Sequence, residues 1–139
     1  MEKYEFMSPA WIEMARVQIL GALAGKSLSE VDYTLCEEFT DPPPHLKRPG
    51  QETIGFYLKV DGGRVEIGDH PVEDADLKVV SDYQEALVVA RDPEAPAADP
   101  NVVQERMAAG RMKVIGNPAT APTVLRELDV HRLLSPRTA

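Results

Sequence analysis

Between residues 54 and 67, two runs of alternating apolar and polar side chains flank Asp61-Gly62-Gly63. Ile54, Phe56, Leu58 and Val60 precede it, and Val65 and Ile67 follow it. A period of two puts each run's apolar side chains on one face of an extended strand. The glycines supply the positive φ that a tight turn needs, so the segment predicts a β-hairpin with one apolar face. No helical reading fits these residues, and the remaining elements must be arranged around this hairpin.

Three further strands are predicted. Val31, Tyr33, Leu35, Glu37 and Phe39 alternate with Asp32, Thr34, Cys36 and Glu38, which leaves Glu37 as the misfit on an apolar face. Leu77-Lys78-Val79-Val80 reads as a fourth strand. Met112, Val114 and Gly116, alternating with Lys113 and Ile115, read as a fifth.

Helical periodicity appears elsewhere. Ile12, Ala15, Ile19 and Leu23 recur at helical spacing between a capping Ser8, an initiating Pro9 and a terminating Gly25. Ser81 and Gln84 have capping-box spacing ahead of Ala86, Leu87 and Ala90. Asp99-Pro100 opens a short helix carrying Val103 and Met107. A last helix is predicted from near Thr120, because Pro122 is tolerated only in a first turn; Val124, Leu125, Leu128 and Leu133 give it an apolar face. Residues 41–50, with four prolines, form a stiff surface loop, and residues 92–100 form a linker or lid. The chain is expected to be a single domain over 1–139, with ends 1–7 and 135–139 frayed. The fold class is α+β: a five-stranded, mainly antiparallel sheet covered on one face by helices.

Composition narrows the function. At 139 residues and 43% hydrophobic, the chain can bury a core without staples. A net charge of −8 repels phosphate backbones, which argues against nucleic acid and against docking on anionic membranes. The charge is uneven: residues 1–100 carry 9 basic and 20 acidic side chains, and residues 101–139 carry 6 and 3. Cys36 is the sole cysteine, so no intrachain disulfide forms, in keeping with a reducing compartment. No signal peptide and no apolar run of membrane-spanning length is evident, and a cytoplasmic location is expected.

The residues specify no reaction. His45, His70 and His131 lack metal-ligand spacing. Asp69 and His70 are adjacent on an extended chain and point opposite ways. Glu73, Asp74 and Asp76 lack an EF-hand pattern, and mid-strand Cys36 reads as small core filler. Phosphate-binding glycine loops and hydrolase motifs are missing. No metal or cofactor is expected. Tyr33, Glu37 and Asp82 are the nominees for acid–base work should the interior hold a substrate. Met107, Met112, Val114 and Ile115 make a soft apolar cluster suited to an apolar guest.

Three segments resemble the sterol carrier protein 2 (SCP2) family. Phe56-Tyr57-Leu58-Lys59-Val60-Asp61-Gly62-Gly63-Arg64-Val65 looks like its central hairpin. Ala75-Asp76-Leu77-Lys78-Val79 followed by Ser81-Asp82-Tyr83 looks like its strand-then-helix segment. Ala109-Gly110-Arg111-Met112-Lys113-Val114-Ile115-Gly116-Asn117 is similar to its last-strand motif. The resemblance implies an apolar tunnel between sheet and helices, binding of sterols, fatty acids, fatty acyl-CoA or related lipids, and no catalytic residues. It places Phe56, Leu58, Leu77, Val79, Leu87, Met112, Val114, Leu125 and Leu128 at the tunnel, and Met107 joins them from the soft cluster. Tyr57, Tyr83, Gln84 and Arg111 are candidate rim groups. The proline-rich loop departs from the family and is expected to reshape the tunnel mouth. Two rival functions are an accessory subunit presenting lipid-soluble intermediates, such as quinone precursors, to partner enzymes, and an enzyme acting on a steroid- or polyketide-like substrate.

Overall fold

The computed structural model describes residues 2–95 and 100–139. Part of the expected linker or lid, residues 96–99, therefore lies outside the described residues. Helix α1 spans Pro9–Leu23, with Ser8 accepting a hydrogen bond from the Trp11 amide and Pro9 at the start. Its buried stripe is Trp11, Ile12, Met14, Ala15, Ile19 and Leu23, the predicted face with two neighbours added.

Five strands follow: β1 (Asp32–Thr40), β2 (Ile54–Asp61), β3 (Arg64–Gly68), β4 (Leu77–Asp82) and β5 (Met112–Gly116). Their order in the sheet is β3-β2-β1-β4-β5. The β2–β3 hairpin turns at Gly62 and Gly63, with φ of 57° and 94°, the left-handed pair that matches strand twist. The sheet is mixed. β1 pairs with β4 in parallel, while the other three pairings are antiparallel.

That parallel pairing has a topological cost. β3 and β4 lie on opposite sides of β1 and β2, so residues 69–76 must cross a face of the sheet. They cross the face turned away from α1. The Val72 amide donates to Cys36 Sγ at 3.4 Å. The Asp76 amide donates to Thr34 O at 2.9 Å, and the Thr34 amide donates to Asp76 Oδ2 at 2.8 Å. Gly55 lets this strap approach: a Cβ there would lie 2.4 Å from Glu37 O and 3.2 Å from Pro71 Cβ. Under the strap, Lys78 is 6% exposed and pairs with Glu38 at 2.9 Å. Cys36 is buried on this same face, where loss of hydration pushes its thiol pKa up.

The other face carries the helices. They are α1, α2 (Tyr83–Ala90), α4 (Thr123–Arg126) and α5 (Val130–Leu134), while α3 (Pro100–Ala108) packs on edge strand β5. Two predicted boundaries move. The cap of α2 is Asp82, which accepts from the Glu85 amide at 3.1 Å, because Ser81 stays in the β4 ladder opposite Met112. The last helix is two short helices. Pro122 sits just before α4, and Asp129 caps α5 by accepting from the Arg132 amide.

The described residues near both ends dock on the body of the fold. The Tyr4 amide donates to Arg137 O, and the Ala139 amide to Tyr4 O, each at 2.8 Å. Phe6 sits edge-on to Trp11 and to Phe39, at 5.0 and 5.2 Å. Trp11 Nε1–H donates to Thr138 Oγ1 at 2.9 Å, and that hydroxyl donates to Leu134 O. Burying an aromatic ring and partnering the chain's one indole N–H outweigh the entropy of two ordered termini. Thr138→Val keeps the shape and leaves the Trp11 N–H without its acceptor. It is expected to cost about 1–3 kcal/mol in urea unfolding followed by Trp11 emission, and a change near zero would contradict docked termini.

Candidate functional site

Register aligns three rows on the helix-covered face. They read Ile54–Phe39–Ser81–Met112, Phe56–Glu37–Val79–Val114 and Leu58–Leu35–Leu77–Gly116. The two ends of each row differ. Over β2 and β3, α1 closes the face: Ile54, Phe56, Leu58, Val60 and Ile67 are buried, and Trp11 lies 5.9 Å from the Phe56 ring. Arg16 also ties α1 to Ile67 O at 3.0 Å. On β1 and β4 the same face is buried at Tyr33, Phe39 and Ser81, but Leu35, Leu77 and Val79, with Met112 and Val114 of β5, are only half-buried. Beside α1, the shorter helices bring Ala86, Leu87 and Ala90 of α2, Val124 and Leu125 of α4, and Leu128 against the core, also half-buried. The result is an apolar strip on the sheet, flanked by an apolar helical layer, both retaining contact with solvent.

The predicted site residues divide accordingly. Leu77, Val79, Met112 and Val114 share the strip, and Leu87, Leu125 and Leu128 belong to the helical layer. Phe56 and Leu58 face the same way but are sealed by α1, so their packing partner is already present. Met107 is 43% exposed on α3, apart from the strip residues. Of the rim candidates, Tyr57 lies on the opposite face, donating to Glu66 and edge-on to His70. Tyr83 is buried and donates to Phe6 O at 2.8 Å, and burial pushes its pKa up to about 12. Gln84 is exposed, and Arg111 is paired with Glu85.

On the covered face of β1, half-buried Glu37 and buried Tyr33 lack protein partners. Glu37 makes no hydrogen bond or ion pair among the described residues, and burial pushes its carboxyl up to about 7. The Tyr33 hydroxyl is buried with no hydrogen-bond partner. Both point from β1 to the same face, four residues and about 13 Å apart along the strand. Asp82 does not join them, because its carboxylate is spent on capping α2. Alternation singles out Glu37 in the sequence; nothing there shows that Tyr33 would lack a partner.

The proline-rich loop shapes a hollow. A cleft of about 600 Å³ lies between this loop and the start of α1, lined by Met7, Ile12, Leu46 and Ile54 below and by His45, Lys47, Arg48 and His70 above. Much of its charge is already matched, with His45 on Glu5 and Arg48 on Asp69. Among the described residues, no cluster of His, Cys, Asp and Glu could hold a metal ion.

No family model and no curated protein sequence matches the chain. Solved structures do. A conserved hypothetical protein of Thermus thermophilus, described as possibly a sterol carrier protein, aligns over 100% of this chain and 94% of its own, at TM-score 0.56 and 14% identity. A sterol carrier protein 2 aligns over 94% and 99%, at TM-score 0.53 and 15% identity. Domain 2 of the Helicoverpa armigera sterol carrier protein aligns over 100% and 98%, at TM-score 0.50 and 9% identity.

Glu37 has a consequence for stability. Its pKa is raised on folding, so the folded state binds the proton more tightly. The associated stability is complete below the ordinary value of 4.5 and is lost as pH rises through about 7. Because the side chain retains some solvent contact, the loss is about 2 kcal/mol. Glu37→Gln is expected to remove this part of the slope between pH 4.5 and 7.5 in urea titrations. An unchanged slope would show that Glu37 is ordinarily hydrated.

Proposed function

Taking as premise that the chain has the fold of sterol carrier protein 2 domains, we propose that it is a non-catalytic binding module for a hydrophobic small molecule of lipid type. The guest lies against Leu35, Leu77, Val79 and Val114, beneath Leu87 and Leu125. The supporting observation is the unequal closure of the covered face, buried along β2 and half-buried at Leu35, Leu77, Val79, Met112 and Val114. At about 25 cal/mol per Å², a guest hiding about 300 Å² of apolar area gains about 7 kcal/mol before ordering costs.

Among the described residues, no helix is long and apolar enough to cross a membrane. The overall charge of −8 disfavours anionic bilayers as a permanent seat. The module's ligand is therefore exchanged through water or handed directly to another protein.

Binding can be read with N-phenylnaphthylamine, a neutral apolar dye that brightens out of water. Saturable binding is expected. Val79→Trp, which fills the strip, should weaken it at least about tenfold, while Ile19→Val in the sealed half leaves affinity within about twofold. A dye that never saturates would remove the reading.

The accessory-subunit reading draws on a separate observation. Val88 and Val89 on α2 and Val102 and Met107 on α3 are exposed, on the helices either side of the 91–99 segment. If they dock on a partner enzyme, photocrosslinking in cells from position 88 yields a discrete adduct. Its absence would dismiss the partner.

A further inference from the structure

Glu37 is costly where it stands. In its row the neighbours are Phe56, Val79 and Val114, and α2 and α4 on the same side of the sheet carry the half-buried Ala86, Leu87, Ala90 and Leu125. The carboxyl is half-buried there, and among the described residues it has no hydrogen-bond or ion-pair partner. Tyr33 is a second such group: its hydroxyl, on the same face of the same strand, is buried without a partner. Both groups can accept a hydrogen bond, and neither brings a positive charge. A guest carboxylate would set two like charges against each other at a half-buried site, which is unfavourable for both. A guest hydroxyl would instead donate to Glu37 and satisfy it.

We infer that Glu37 selects the guest: the apolar strip takes a neutral, hydroxyl-bearing lipid and rejects a fatty-acid anion of the same length. This rests on the binding-module reading above. The hydroxyl is held at Glu37, in the middle of the sheet and away from its rim. The apolar body lies along Leu35, Leu77 and Val79 or towards Met112. Tyr33 offers a second anchor near the far end of β1. An apolar leucine at position 37 would hold either chain with no preference, because the discrimination comes from one side chain.

The test is competition against bound N-phenylnaphthylamine by a long-chain alcohol and by the fatty acid of identical length. At pH 8, above the value of about 7 set by burial, both carboxyls carry charge. The wild-type chain is expected to prefer the alcohol by at least about tenfold. Glu37→Gln should narrow the preference to within about threefold by strengthening the acid, and Glu37→Leu should abolish it by weakening the alcohol. Unfolding curves confirm that both variants are folded. Equal competition by the two lipids in the wild-type chain, or a preference unchanged in both variants, would overturn the selection while leaving the binding module intact. Failure of both lipids to displace a bound dye would overturn the ligand class. Failure of the dye itself to bind would overturn the module and the selection together.

Discussion

The width of one helix governs this molecule. Five strands spaced by about 4.8 Å span about 19 Å, whereas a helix with its side chains is about 10 Å across. The one long helix of the covered face, α1, therefore seals two strands, and it lies over β2 and β3. The remaining helices of this face have eight, four and five residues. Short helices bury little area each, and the breaks at Pro122 and Asp129 keep α4 and α5 from joining into one continuous cover. The half-open strip is thus a direct outcome of how the apolar residues are distributed along the chain.

The second face shows why the helices can be confined to one side. Placing β4 parallel to β1 draws residues 69–76 across the outer face, where they hydrogen-bond to Thr34 and cover Cys36. The strap takes the place of a second helical layer. Because it consists largely of polar chain, the outer face can hold the Lys78–Glu38 pair, whose partners would be costly among apolar helices. The termini complete the α1 side. Phe6 joins Trp11, Phe39 and Tyr83 in one aromatic cluster, and Thr138 accepts the indole N–H, so both ends of the chain support the sealed half.

Much of this was legible in the residues. The hairpin, the strand alternation and the α1 stripe follow from periods of 2.0 and 3.6, which depend on neighbours in sequence. So does the inward position of Glu37. The parallel β1–β4 pairing was not legible, since alternation is the same in parallel and antiparallel strands. The cap at Asp82 was missed by one residue, because Ser81 and Asp82 are both good caps and the choice is made by the ladder to Met112. The docked termini were hidden because Tyr4 and Phe6 look like isolated aromatics until Thr138, more than 130 residues away, is brought beside them. For the candidate site, the family resemblance implies tunnel positions at Leu77, Val79 and Val114, which lie on the strip. It could not separate them from Phe56 and Leu58, which share their face, because that difference is made by α1 lying over one half of the sheet only.

On the proposed reading, an apolar guest sits on the β1–β4–β5 half of the covered face, around Glu37. The most direct test follows side-chain methyl resonances by NMR while a long-chain alcohol is titrated into the methyl-labelled protein. Shifts centred on Leu77, Val79, Val114 and Leu87, with Ile19 and Val60 unmoved, are the predicted result. Shifts centred on Met7, Ile12 and Ile54, beside the proline-rich loop, would move the site to that cleft and contradict the account.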